Sequence, residues 1–129
     1  MKAQDIYVMA SAFLYEREGE DADNRHFALP FLNLLLQEAL PTENSIRAFE
    51  GRPLLAQAPF LTALGEEVPY ADGLTRAALP YGLAAQFFQE AMDNAQAENY
   101  RGKYIAALDE ARRFSFVESG YGPYGEGDG

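Results

Sequence analysis

The sequence predicts a mainly α-helical domain with four helices. In four stretches, roughly 3–15, 23–40, 74–93 and 97–113, apolar residues recur at the spacing of one helix face. Two of these stretches contain Ala-Leu-Pro followed by an aromatic residue. Proline is tolerated in the first turn of a helix and is costly further along, so each occurrence indicates the start of a main helix. The four helices are expected to pack as an orthogonal or bundle-like domain.

The composition is that of one folded domain. The chain has 129 residues, and 48% of them are hydrophobic, which suffices for a modest single core. It contains no cysteine, which excludes disulfide bonds and thiolate metal sites. No stretch approaches a membrane span in length, and the first residues lack the apolar core of a signal peptide. We therefore expect no signal peptide and no membrane partner.

The chain is strongly acidic, with 20 Asp and Glu residues against 10 Lys and Arg residues and a formal net charge of -10. Binding that is driven by nucleic-acid phosphates needs a basic face, and the sequence indicates none. We expect no sequence-specific nucleic-acid partner. An acidic surface is typical of ordinary solvated proteins, of DNA mimics and of channels through which DNA slides without sticking.

The first helix has one apolar face, formed by Ile6, Met9, Ala10 and Phe13. The charged residues 17–23 follow it and contain one glycine. They lack the ligand offsets of a calcium-binding loop, so they are interpreted as a solvated connection.

The second helix has a broad apolar stripe over residues 27–36, which predicts a central helix contacted on several sides. Pro30 either kinks this helix or marks its true start. Pro41 predicts its end, because the residue before a proline disfavours helical geometry. Residues 42–49 then predict a separate short turn or helix.

Prolines at 53, 59 and 69 rule out a long helix in the next segment. Short extended pieces around a turn predict a β-hairpin or an extended loop at 59–71. Such pieces are not stable alone, so they are expected to lie on the helices or to pair with another chain.

The third helix is unusually rich in small residues. Gly82, Ala84 and Ala85 predict a close crossing with another helix, because small residues let two backbones approach. The fourth helix has Tyr104 on its inward face. Whether the third and fourth helices form one bent rod is left open by the sequence, with residues 93–94 as the weakest point.

The end of the chain differs from the rest. Residues 115–118 predict a short strand, and residues 120–129 hold five of the 11 glycines. The predicted organisation is therefore one helical domain over residues 1–114, followed by a strand and a flexible arm over residues 115–129.

No residue pattern indicates catalysis. His26 is the only histidine and lies beside Phe27 at a helix start, which favours a structural or exposed role. Glu66, Glu67 and Asp72 are acids that lie close together in the sequence. Adjacent acids in a turn usually face solvent. The sequence has neither a nucleophile elbow nor a phosphate-binding glycine loop. We expect no catalytic, metal or cofactor site and no enzymatic activity.

The chain resembles the head–tail connector, adaptor and head-completion proteins of tailed bacteriophages and prophages. Its most specific match to this family is the segment Leu-Pro-Tyr-Gly-Leu-Ala-Ala at 79–85. The other residues that carry the resemblance are Arg25, residues 28–38, residues 64–70, Tyr104 and residues 117–121. The resemblance covers roughly three quarters of the chain, and none of its motifs is chemically diagnostic.

The resemblance implies a helical subunit of a ring of about a dozen copies between portal and tail, located in the virion neck or the host cytoplasm. In such rings the extended loop and the C-terminal segment reach adjacent subunits, and residues 59–70 would gain a strand partner. The acidic charge suits a channel for DNA. The subunit-interface candidates are Phe60, Leu61, Leu64, Val68, Tyr70, Phe116, Val117, Tyr121 and Tyr124.

Two other functions compete with this one. The chain is alternatively a small acidic inhibitor or DNA mimic that binds a basic protein, with its acids clustered in rows like phosphates. A small enzyme is the third reading, and it requires a concave pocket that holds polar groups.

Overall fold

The computed structural model describes the backbone of residues 1–14 and 21–118, and the side chains of these residues except 21–23 and 114–118. The prediction of a mainly α-helical domain with four helices is confirmed. The helices are α1 (Ala3–Phe13), α2 (Asp21–Glu50), α3 (Leu79–Glu90) and α4 (Asn94–Glu118). Helix α2 contacts each of the other three helices, as its broad apolar stripe predicts, and α3 packs chiefly on α4.

Helix α2 continues through both of its prolines. The prediction that it ends at Pro41 is wrong, because residues 42–49 belong to the same helix. Pro30 lies well inside α2 and does not mark its start. Pro41 has no N–H, so the Gln37 carbonyl lacks its usual helix partner. Tertiary packing outweighs that loss, since Ile46 beyond the proline is buried in the core.

The second Ala-Leu-Pro segment does start a helix. Pro80 lies in the first turn of α3, as predicted. A π-helical turn, Leu74–Ala78, precedes α3, and its wider bonding joins the Leu79 N–H to the Leu74 carbonyl. Helix α3 thus begins at Leu79, directly before Pro80, which has no N–H to donate.

Gly82 lies where three helices meet. A Cβ atom at this position would be 2.9 Å from Leu35 Cδ2 of α2 and 3.0 Å from Tyr104 Cδ1 of α4. The side chains of Leu35 and Tyr104 are both buried. The close helix crossing that the small residues predict is thus confirmed, and glycine is what permits it.

A short turn separates α3 from α4, so the two are not one rod. Met92 has a φ of 62°, the left-handed conformation in which glycine usually ends a helix. The Met92 N–H donates to the Gln89 carbonyl at 3.0 Å. The Asp93 N–H donates to the Phe88 carbonyl at 2.9 Å. The Asp93 carboxylate then accepts from the Gln96 N–H at 3.2 Å and caps the first turn of α4.

Helix α4 is longer than predicted. Its backbone is helical through Glu118, so the predicted helix end at 113 and the predicted strand at 115–118 are both wrong. The β-propensity of this short stretch is a weak preference, whereas each added helical residue gains a backbone hydrogen bond from a turn already formed. The predicted flexible arm, which begins at residue 120, lies outside the described residues.

The segment between α2 and α3 is an extended loop, not a hairpin. No strand occurs within the residues that the structure describes, and the alternative of an ordered loop at 59–71 holds. Lys2 and Glu67 form one isolated antiparallel bridge. The Ala3 N–H donates to the Glu66 carbonyl at 2.9 Å, which satisfies a donor that the first turn of α1 leaves open. The loop therefore gains its order from α1 and α2.

Candidate functional site

Two asparagines of α2 hold the loop against the helix. Asn33 Nδ2 donates to the Leu61 carbonyl at 3.0 Å, and Asn33 Oδ1 accepts from the Leu61 N–H at 2.8 Å. Asn44 pairs in the same way with Leu55, at 2.9 Å and 2.8 Å. Each side-chain amide thus satisfies both backbone groups of one loop residue, as a neighbouring strand would.

The spacing of these pairs sets the path of the loop. Residues 33 and 44 are three turns apart on one face of α2, a distance of roughly 16 Å. Residues 55 and 61 are six residues apart and span at most about 21 Å, so the chain between them is mostly extended, with a bend at 56–57. We call residues 55–61 the strap. It runs antiparallel to α2.

An open groove lies between the strap and α2, with a volume of about 1100 Å³. None of its lining residues is charged, although 23% of the whole chain is charged. We call the lining residues together the uncharged face. They are Leu29, Pro30, Asn33, Leu34, Gln37, Leu55, Gln57, Ala58, Pro59, Phe60, Leu61 and Thr62.

The uncharged face exposes large apolar side chains on both sides of the groove. Phe60 on the strap is 75% exposed, and Leu34 on α2 is 62% exposed. Phe27 and Leu54, which adjoin the face along the chain, are also exposed. Several exposed large apolar side chains near one groove are typical of protein-docking sites, whereas single exposed apolar residues are ordinary.

A buried ion pair fixes both ends of the loop. The Glu43 side chain is fully buried, and it accepts from Arg47 Nε at 2.6 Å and from the Ala71 N–H at 2.7 Å. The two terminal nitrogens of Arg47 donate to the carbonyls of Pro53, at 3.2 Å, and Pro69, at 2.8 Å. One arginine thus binds the start and the end of the loop, and Glu43 holds it in place.

Tyr70 adds a third attachment between the loop and α2. Its buried hydroxyl donates to the Leu36 carbonyl at 2.6 Å. Burial, with the negative charge of Glu43 as a smaller cause, raises the pKa of Tyr70 well above its usual range. The phenol is therefore neutral and serves as a hydrogen-bond donor to the helix.

A second ion pair joins α2 to α4. Arg101 makes two hydrogen bonds to the Glu38 carboxylate, at 2.9 Å and 2.6 Å. These bonds lower the pKa of Glu38. The Arg101 guanidinium also lies 5.1 Å from the ring centre of Tyr104. Burial, and then the charge of Glu38, raise the pKa of Tyr104.

The structure separates the residues that the sequence groups as interface candidates. Leu61, Val68 and Tyr70 are buried in the domain's own core, and Leu64 is half-buried. Phe60 alone among the described candidates is largely exposed. The side chains of Phe116, Val117, Tyr121 and Tyr124 lie outside the described residues.

The residues considered for catalysis, His26, Glu66 and Glu67, each lie in a different local environment. His26 is exposed and its ring contacts Phe27 at 5.1 Å. The Glu66 carboxylate accepts from the Thr62 hydroxyl and N–H, both at 2.7 Å, and so closes a turn. Glu67 pairs with the N-terminal ammonium group at 2.9 Å. Hence Glu66 and Glu67 bind different partners.

The sequence interpretation missed Asn33, Asn44 and the Glu43–Arg47 pair. A signal was present for Asn33 and for the ion pair. Asn33 interrupts an otherwise apolar stretch, where asparagine is unfavourable in a helix unless its side chain binds backbone. Glu43 and Arg47 have the i, i+4 spacing of a helix ion pair.

A second cavity, of about 740 Å³, lies between α4 and the end of the loop. Its floor is apolar and includes Ile46 and Ala107, and its rim carries Glu50, Asp72 and Glu110 together with Arg52. Arg52 is already paired with Glu43 and Glu50. The remaining rim charge is negative.

Neither a metal site nor a membrane span emerges from the described part of the chain. Its side chains include no group of three or more acidic or histidine residues that could hold a metal ion. Its helices are too short or too polar to cross a bilayer. Comparison with known proteins gives no relative, since no protein-family model, curated protein or solved structure matches this chain.

Proposed function

We propose that this chain is a non-enzymatic structural protein of the bacteriophage or prophage head–tail connection, acting in the virion neck as a ring-forming adaptor between portal and tail. The observation that carries the proposal is the uncharged face. It supplies an exposed apolar docking surface on a mainly helical domain. The resemblance of residues 79–85 to connector proteins supports the same function.

The lining of the uncharged face favours a protein partner. The cores of protein–protein interfaces are depleted of charged residues and enriched in aromatic ones. This face has no charged lining residue and presents Phe60 at its edge. The acidic remainder of the chain suits a surface past which DNA moves without binding.

The strap favours side-chain docking over the addition of a strand. Strand addition needs a free edge of backbone N–H and C=O groups. The backbone groups of Leu55 and Leu61 are already bound by asparagines, and Pro59 has no N–H. A neighbouring subunit would therefore bind the groove and Phe60, in place of pairing with residues 59–70.

The test is co-assembly with portal and tail proteins, taken from genes near the one for this chain where such genes occur, observed by negative-stain electron microscopy. We expect added density at the portal with the wild-type chain. Phe60→Glu should abolish that density, because it places a charge on the docking surface. Ile105→Glu, at an exposed apolar residue of α4 outside the groove, is the matched control and should assemble normally. Absence of binding by the wild-type chain to any neck component refutes the proposal.

The acidic rim of the second cavity favours one alternative, a small inhibitor or DNA mimic that binds a basic protein. Asp72 and Glu110 form no ion pair among the described residues, so they are free to meet basic side chains. This alternative predicts binding to a DNA-binding protein that weakens steeply with salt. The double variant Asp72→Asn with Glu110→Gln should weaken it, whereas Phe60→Glu should not.

A further inference from the structure

The end of α2 is attached less firmly than the part of the helix before Pro41. Proline has no N–H, so the Gln37 carbonyl lacks its helix partner at this point. Within residues 42–50, all of which the structure describes, only Glu43 and Ile46 are buried. Ile46 is the one apolar side chain that this stretch buries in the core. Residues 42–50 therefore have little of the apolar burial that normally keeps a helix formed.

The start of the loop is held by the same part of α2. None of residues 51–57, which the structure describes in full, is buried. The Leu55 backbone pairs with Asn44, and the Pro53 carbonyl accepts from Arg47 at 3.2 Å. The later part of the loop differs, because four of its side chains are buried in the core: Ala58, Leu61, Val68 and Tyr70. The start of the loop and the end of α2 thus hold each other in place.

Two open spaces adjoin residues 42–57. The cavity of about 740 Å³ is lined by Ile46 and Arg52 from this stretch and by residues of α4. The groove of about 1100 Å³ is lined in part by Leu55 and Gln57. A stretch with few buried apolar contacts and open space beside it belongs to the least stable part of a folded domain.

We propose that residues 42–57 open as one unit about Pro41 while the rest of the domain stays folded. We call these residues the hinged segment. In the open form α2 ends at Leu40, because the residue before a proline disfavours helical geometry. The start of the loop then leaves α2, and the strap stays attached at its other end, where Asn33 binds Leu61.

The burial of Ile46 and the Glu43–Arg47 pair hold the hinged segment closed. Glu43 accepts from the Ala71 N–H at 2.7 Å, and Arg47 donates to the Pro69 carbonyl at 2.8 Å. Glu43 and Arg47 also bind each other, at 2.6 Å. Because each side chain of the pair orients the other, loss of one contact weakens the second. The segment therefore opens in one step and does not fray residue by residue.

Opening of the hinged segment dismantles the uncharged face. Leu55 and Gln57 belong to both, so the groove loses part of its lining when the segment opens. A protein that binds the whole groove binds the closed form, and docking and closure then favour each other. The hinge itself rests on the contacts of residues 42–57 and does not depend on the proposed function. The tests below use no neck component, so failure of the hinge would leave the proposed function standing, and the reverse also holds.

Hydrogen exchange of the full chain, followed residue by residue by NMR, tests the unit. Leu55 and Leu61 are a matched pair, because an asparagine of α2 binds each N–H at 2.8 Å. The Leu55 amide should share the protection factor of the amides at 45–50. That value should be at least about 10-fold lower than the protection factors of Leu61 and of residues 31–40. Equal protection of Leu55 and Leu61, or of residues 45–50 and 31–40, would overturn the proposal.

The two prolines of α2 give matched variants. Pro41→Ala supplies the missing N–H, so exchange at 45–50 and at Leu55 should slow by about 10- to 100-fold. Pro30→Ala makes the same change at another exposed proline of the helix, before the hinge, and should leave exchange in the hinged segment unchanged. Equal slowing by the two variants, or no slowing by Pro41→Ala, would refute a hinge at Pro41.

The two asparagines test whether the loop holds the helix. Alanine is the better helix former, so Asn44→Ala would slow exchange at 45–50 if helix propensity alone acted. We expect exchange there to become about 10-fold faster, because the contact with Leu55 is lost. Asn33→Ala removes the contact with Leu61, outside the hinged segment, and should leave exchange at 45–50 unchanged. Slower or unchanged exchange in Asn44→Ala, or equally faster exchange in both variants, would overturn the coupling of loop and helix.

Discussion

Asn33 binds Leu61 through both of its amide atoms, with Nδ2 donating to the carbonyl at 3.0 Å and Oδ1 accepting from the N–H at 2.8 Å. Asn44 repeats the arrangement three turns further along α2, on Leu55. A helix thus supplies, by two side chains, the backbone pairing that a neighbouring strand supplies in a sheet. The consequence is a fixed strap, and beside it a groove that side chains of another protein can enter.

Asn33→Ala should therefore lower stability and loosen the strap. The change leaves a partly buried N–H and C=O of Leu61 without partners, and each such loss costs about 1–3 kcal/mol where water does not replace it. We expect a loss of about 2 kcal/mol in urea unfolding. Gln37→Ala, at an exposed amide on the same helix that forms no hydrogen bond among the described residues, should change stability by less than about 0.5 kcal/mol. Equal effects of the two variants would contradict the role assigned to Asn33.

Glu43→Gln should be among the most destabilising single changes in the loop region. The carboxylate is fully buried, and both of its oxygens accept hydrogen bonds. The amide that replaces it has one acceptor oxygen and no charge, so either Arg47 Nε or the Ala71 N–H loses its acceptor, and the Arg47 guanidinium loses its counter-ion. Breaking one side of a buried ion pair costs about 3–5 kcal/mol. Urea unfolding measures the loss.

Glu50→Gln is the control for this prediction. Its carboxylate is 41% exposed and pairs with Arg52, and an exposed pair contributes at most about 1 kcal/mol. A loss for Glu43→Gln that is no larger than the loss for Glu50→Gln would mean that water reaches Glu43. That result would remove its role as the anchor of the loop.

The helices could be predicted from local patterns, but the groove could not. Apolar periodicity is a property of each stretch, so it located all four helices. The end of α2 was misplaced because the rule for Pro41 is local, whereas burial of Ile46 and the Glu43–Arg47 pair beyond it depends on the loop. The uncharged face combines residues from α2 and from the strap, and only the asparagine pairs bring them together.

Gly82 and Gly102 should respond in opposite directions to alanine. Within a helix, alanine is favoured over glycine by roughly 0.5–1 kcal/mol. Gly102 has open space at its Cβ position, so Gly102→Ala should stabilise the protein by that amount. At Gly82 the new Cβ would lie within 3.0 Å of Leu35 and Tyr104 atoms. Overpacking costs about 1–3 kcal/mol, so the net change should be a loss of about 1 kcal/mol. Thermal or urea unfolding measures the stability of both variants. Stabilisation by both substitutions would contradict the prediction and show that the helices at Gly82 can move apart.

The buried phenols should make the protein sensitive to alkali. The pKa values of Tyr70 and Tyr104 are both raised, in each case chiefly by burial. In the unfolded chain both tyrosines ionise near the ordinary tyrosine pKa of about 10. In the folded protein both side chains are still neutral at that pH. Their contribution is thus fully present below about pH 10 and is lost as the pH rises toward the folded pKa, by up to about 1.4 kcal/mol per pH unit for each group.

Phenylalanine variants isolate this effect. Tyr104→Phe removes one ionising group, so its free energy of unfolding should fall less steeply than that of the wild type between about pH 9 and pH 11. Tyr70→Phe should give the same shallower slope, together with a loss of about 1 kcal/mol at pH 8, because its hydroxyl no longer binds the Leu36 carbonyl. Urea unfolding at fixed ionic strength measures both. A difference from the wild type that is the same at every pH would mean that the two phenols ionise alike in the folded and unfolded chains, and that water reaches them in the core.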